Sequence, residues 1–114
     1  MQLYKLKYVL DKLKYKFKMV FTPLSKHQLI EAVEYWIDDY ENALNYYGEI
    51  NTWNVSNITD MSYIFKDKKN FNDEISQWNV SNVIDMDAMF KNAESFNSDI
   101  SKWNVRNVIN MSCM

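Results

Sequence analysis

A chain of 114 residues is one domain by length, and with 47% apolar and 16% aromatic residues it can bury a core, which excludes a disordered chain. One Gly and one Pro exclude a Gly-punctuated β-sandwich and a flexible linker protein. The formal net charge is only −2, but residues 1–26 hold seven Lys and one acid while the remainder holds fourteen acids against six bases, a basic arm on an acidic body.

Residues 1–22 form the basic arm. Leu3, Leu6, Leu10, Leu13, Phe17 and Val20 recur at three- and four-residue steps, an apolar helical stripe that the lysines avoid. Leu13, Tyr15, Phe17, Met19 and Phe21 also alternate with Lys14, Lys16 and Lys18, the period of a half-buried strand. The first half leans helical and the second extended, stopped by Pro23. No run reaches the roughly 20 apolar residues of a membrane helix, and the N-terminus lacks the apolar stretch of a signal peptide.

Residues 23–49 are expected to be an N-terminal capping helix, with helical residues at about 26–47. Ser25 is an N-cap and Gln28 completes a capping box. Leu29, Val33, Trp36, Ile37, Tyr40, Leu44 and Tyr47 line one face, and Gly48 stands where a left-handed C-cap is wanted.

The rest is a 25-residue repeat: 50–74, 75–99 and a partial copy over 100–114. Trp53, Trp78 and Trp103 keep this step, as do Val55, Val80 and Val105, and Met61, Met86 and Met111. Such a period means stacked supersecondary units. Residues 50–55, 75–80 and 100–105 are read as short strands with Trp and Val inward, and a bend is needed to turn each preceding Ile inward as well. Val83, Met86, Met89 and Phe90 suit a short helical turn on the opposite side. Asn57, Asn82 and Asn107 recur after each strand, where a buried amide can bond the backbone of the next unit. The fold expected is an α/β repeat, a short leucine-rich-repeat-like solenoid with parallel stacked strands. The third copy stops at Met114, so its last layer is expected to fray or to be covered.

The pattern I-S-x-W-N-V-S-N-V-x-x-M-x-x-M-F-x-x-A-x-x-F-N-x-D resembles the repeat of BspA-like leucine-rich-repeat surface proteins, also found in Mycoplasma-type lipoproteins, with similar repeats in protists, algae and large DNA viruses. The resemblance covers about 50–114 and implies protein contact: adhesion, surface coating or assembly, at a cell or virion surface. It brings no catalytic residue, metal ligand or cofactor site.

The residues themselves suggest no enzyme. His27 is the sole histidine, without a nucleophile partner. Cys113 is the sole cysteine, which allows no intrachain disulfide, and it is expected in the core position held by Ala88 one repeat earlier. Acid pairs such as Asp38–Asp39 lack a calcium-loop pattern. The expected function is a non-enzymatic interaction or structural module with a protein partner, or with itself through the open last coil. Its candidate contact residues are the outward positions Thr52, Asn54, Gln77, Asn79, Lys102 and Asn104. The alternative is an anionic partner, nucleic acid or membrane surface, held by Lys5, Lys7, Lys12, Lys14, Lys16 and Lys18 interleaved with aromatics.

Overall fold

The computed structural model describes residues 3–17 and 19–114, the side chains of 12–17 excepted. Helix α1 spans Leu3–Phe17. The helical period therefore prevails over the alternating one as far as Phe17, and the extended reading of 13–17 is corrected.

Helix α2 spans Lys26–Asp38, and its N-cap is Ser25, whose side chain accepts the N–H of Gln28 at 3.1 Å. The reciprocal bond of the expected capping box is displaced by one residue: Gln28 Oε1 accepts from Leu24 N at 2.8 Å. The predicted single helix is in fact two. Asp39, at φ −146° and ψ 73°, interrupts it, and α3 spans Tyr40–Tyr47. Asp39 still joins both halves, donating its N–H to Tyr35 O at 2.8 Å and accepting from Ala43 N at 2.9 Å. The break re-aims the apolar stripe. Ala32 and Ala43 go inside with Leu29, Val33 and Trp36, while Ile37 and Tyr40 turn to solvent. Gly48 follows at φ 75° and ψ 178°, outside the left-handed helical region expected for a cap but in a region that glycine alone adopts without strain.

The predicted strands at 50–55, 75–80 and 100–105 do not form. Among the described residues there are three α-helices, a single 3-10 turn at Ile50–Thr52 and no sheet, only the isolated parallel bridges Asp60–Asp85 and Asp85–Asn110. The parallel-strand leucine-rich-repeat solenoid is thus overturned. The reason lies in the three-residue spacing of Ile and Trp. Both Ile50 and Trp53 are buried, and a tight turn closed by Trp53 N to Ile50 O at 3.2 Å brings them to one face. The same bond recurs from Trp78 to Ile75 and from Trp103 to Ile100. A second turn follows in each unit, from Ile58 N to Val55 O, Val83 N to Val80 O and Val108 N to Val105 O, each at 3.0 Å. The helical turn expected at 83–90 is likewise a tight turn, Met89 N to Met86 O at 3.2 Å, with Ala88 in the left-handed region at φ 52°.

These turn-built units stack in register. Backbone N–H groups of Met61, Tyr63, Phe65 and Asp67 donate to the carbonyls of Asp85, Asp87, Met89 and Lys91, at 2.8 to 3.0 Å. Met86 and Ala88 repeat the first two of these bonds to Asn110 and Ser112, both at 2.8 Å. Left-handed backbone recurs at the same step, at Tyr63, Ala88 and Cys113 and at Asp67 and Asn92. The rings stack too: Phe65 on Phe90 at 5.5 Å between centroids, and Phe71 on Phe96 at 6.0 Å, each pair 3° from parallel. Trp53 and Trp78 are 2% exposed and Trp103 9%, so the tryptophan ladder is core. Helices α2 and α3, with the segment before α2, cover one side of the first unit: Trp36, Tyr47 and Phe21 pack their rings on Trp53 at 5.9, 5.5 and 5.2 Å.

Candidate functional site

The stacked register turns single residues into rows. One row is Asn54, Asn79 and Asn104, all exposed as expected. Each side-chain oxygen, however, accepts the N–H two residues on, from Ser56, Ser81 and Arg106 at 3.1 to 3.2 Å. These asparagines hold their own turns first. Thr52, Gln77 and Lys102 lie beside them, exposed, with Thr52 Oγ1 donating to Glu49 O at 2.6 Å. Thr52, Asn54, Gln77 and Asn79 line a shallow cleft of about 410 Å³, which does not include Lys102 or Asn104.

A larger groove runs along the stack beside this row. Asn57, Asn82 and Asn107 form one wall and Thr59, Ile84 and Ile109 the other, around a volume of about 620 Å³. The amide of Asn82 donates to Ser56 O at 2.8 Å and that of Asn107 to Ser81 O at 2.7 Å, so the expected inter-unit ladder is present. It stands at the surface and not in the core, since all three asparagines are exposed. The opposite wall was not anticipated. Ile84 is 45% exposed and Ile109 85%. The signal was available: an Ile directly follows the inward Val83 and Val108 where the first unit has Thr59. No charged side chain lines this groove.

Charged groups gather instead where α2 meets the first unit. Lys26 Nζ donates to Ser62 Oγ at 2.7 Å and lies 3.3 Å from Asp60 Oδ2, while the Ser62 hydroxyl donates to Asp60 Oδ1 at 2.7 Å. Burial pushes the Asp60 carboxyl up, but the two Ser62 hydrogen bonds and Lys26 outweigh it and hold it below the ordinary aspartate range. Ser62 is buried, and its proton is directed to a carboxylate already engaged by Lys26, so the cluster serves as a dock. Trp36 makes the second fastening, its indole donating to Asp73 Oδ2 at 2.8 Å.

Lys5 and Lys7 are exposed on α1, Lys7 within 3.4 Å of Asp11. The side chains of Lys12, Lys14 and Lys16, and Lys18 altogether, lie outside the described residues. His27 is exposed in the first turn of α2, 2.8 Å from Glu31. Cys113 occupies the turn position of Ala88, as expected, but it is exposed and not a core residue. Among the described residues no three His, Cys, Asp or Glu converge as a metal site, and no helix is long and apolar enough to cross a membrane.

Residues 30–114 match the profile of the family described as Mycoplasma protein of unknown function, DUF285. The match begins inside α2 and takes in α3 and every stacked unit. It is to this Mycoplasma-type repeat family, which is related to BspA-like surface repeats, and is not specific to the BspA-like proteins themselves. No curated protein and no solved structure gives a match.

Proposed function

Since the chain belongs to the DUF285 family, and the matched part contains every stacked unit, we propose that it is a non-enzymatic protein-interaction module, of the surface or assembly kind, whose contact face is the groove along the stack. The observation that supports this most is the exposed Ile84 and Ile109 opposite an amide ladder. Apolar side chains held out on a rigid, uncharged face suit burial against another protein surface. With no charge lining it, the groove of one copy meets no repulsion from that of another, so a second copy is the partner we assign. The family's relation to BspA-like repeats supports placing such assembly at a cell or virion surface.

Light scattering over a concentration series tests the reading. The natural chain is expected to rise above its monomer mass of 13.7 kDa, and a chain carrying Ile84→Lys and Ile109→Lys to stay at it. Both isoleucines are at the surface, so the double variant should melt like the natural chain. A natural chain that stays monomeric throughout, or a double variant that associates equally, contradicts the assignment.

A further inference from the structure

Helix α1 contributes no residue to the core among those described. Its apolar stripe is open: Leu3 is 84% exposed, Leu6 43% and Leu10 49%. The stripe looks onto a trough of about 670 Å³ whose other lining includes Met19, Tyr35 and Tyr46. Met19 and Tyr46 are exposed as well, so helix, connector and α3 share one continuous apolar surface. A stripe of this kind on a helix that adds nothing to the core is costly in water.

The charge around it is mostly of one sign. At 100° per residue, Lys7 falls on one flank of the Leu3–Leu6–Leu10 stripe and Lys5 farther round on the other side, about as far from the stripe as Tyr4. In sequence, the lysines of 12–18 likewise avoid the stripe, Lys14, Lys16 and Lys18 toward its flanks and Lys12 behind it. Tyr8 falls on the far side. Residues 1–26 carry seven Lys, no Arg and one acid, and that acid, Asp11, is paired with Lys7. Lysines flanking an apolar stripe can extend to phosphate level while the stripe sinks into the acyl boundary. A nucleic-acid backbone would use the lysines but leave the leucine stripe in water, and the arginine forks that suit phosphate are missing.

From these features we infer that α1 is an interfacial helix that binds the surface of an anionic lipid bilayer. The occupant is the bilayer itself, met by the leucine stripe with Lys7 on its flank and Lys5 reaching from farther round the helix. This is independent of the groove on the stack, because the two surfaces share no residue.

Vesicle co-sedimentation of the full chain tests it, using phosphatidylcholine alone and phosphatidylcholine with about 30 mol% phosphatidylserine, whose anionic surface attracts basic segments. Binding is expected only to the anionic vesicles and should fall as salt is raised. Lys5→Glu with Lys7→Glu should weaken it at least about tenfold. Leu6→Glu with Leu10→Glu should abolish it while leaving the thermal melt unchanged, since neither leucine belongs to the core. Equal binding to both vesicle types, or full binding by the leucine variant, overturns the inference. So does capture of single-stranded DNA without vesicle binding, which would assign the arm to nucleic acid.

Discussion

Trp78 is buried between two units and donates its indole N–H to the carbonyl of Ile50, one unit earlier, at 2.8 Å. Trp103 does the same to Ile75 at 3.1 Å, and Trp53, with no earlier unit, uses Gly48 at 3.1 Å. Each tryptophan therefore supplies a core side chain and a fixed bond across the seam. Trp78→Phe keeps most of the ring and removes the indole donor, and since the Ile50 carbonyl still accepts from Trp53 N the lost bond should cost about 0.5–1.5 kcal/mol. Trp78→Ala also removes the side chain from the core and should cost about 3–5 kcal/mol. Chemical denaturation measures both, and near-natural stability of the alanine variant would refute the ladder. The 25-residue step made the burial of these tryptophans legible. It did not reveal their acceptor, because the spacing asks for a bend between Ile and Trp without showing which carbonyl that bend presents. The asparagines show the same divide. Their outward position was readable at 54, 79 and 104, but not that their oxygens are bound to their own turns.

At the level of elements, the buried apolar residues over 50–64 of the first unit fall at 50, 53, 55, 58, 61 and 64. Steps of three with a single two belong neither to a helix nor to a strand. Read locally, W-N-V alternates like a strand; read with Ile50, it requires a turn, and the turn prevails because both large side chains must be buried. The cap was misread for a related reason. The stripe from Leu29 to Tyr47 keeps helical spacing through Asp39, so nothing apolar marks the break. What joins this cap to the stack is partly electrostatic, and so depends on pH. The Asp60 carboxyl titrates below its ordinary value in the folded chain. A lowered native value contributes stability that is complete above the unfolded value of about 3.9 and is lost as pH falls through the native one. Melting temperatures between about pH 5 and pH 2 should therefore drop more steeply for the natural chain than for Asp60→Asn, which cannot titrate there. Identical profiles would mean that Asp60 gains nothing from Ser62 and Lys26.

Across the whole molecule, cohesion comes from seams and not from sheets or long helices. At the first seam the amides of Met61, Tyr63, Phe65 and Asp67 point to the next unit, and Ile84 N returns a bond to Thr59 O at 2.7 Å. The bonding resembles a β-ladder in direction but not in backbone, because two of the donors, Tyr63 and Asp67, are left-handed and bend the chain. The stacked architecture and its register were thus legible from repetition alone, whereas the local conformation was not. The same holds for the candidate surface. Repetition implied outward rows, but only the stack shows that the row at 59, 84 and 109 carries the exposed isoleucines.

Native-state amide hydrogen exchange tests these seams most directly. Met61, Tyr63, Phe65, Asp67, Ile84, Met86, Ala88 and Ile109 lie outside any helix and yet donate between units. They should exchange far more slowly than unstructured amides, and the slowest should share one opening free energy with the buried amides of α2. Exchange of those eight at unstructured rates, with protection confined to α2 and α3, would contradict the stack as the core of the molecule.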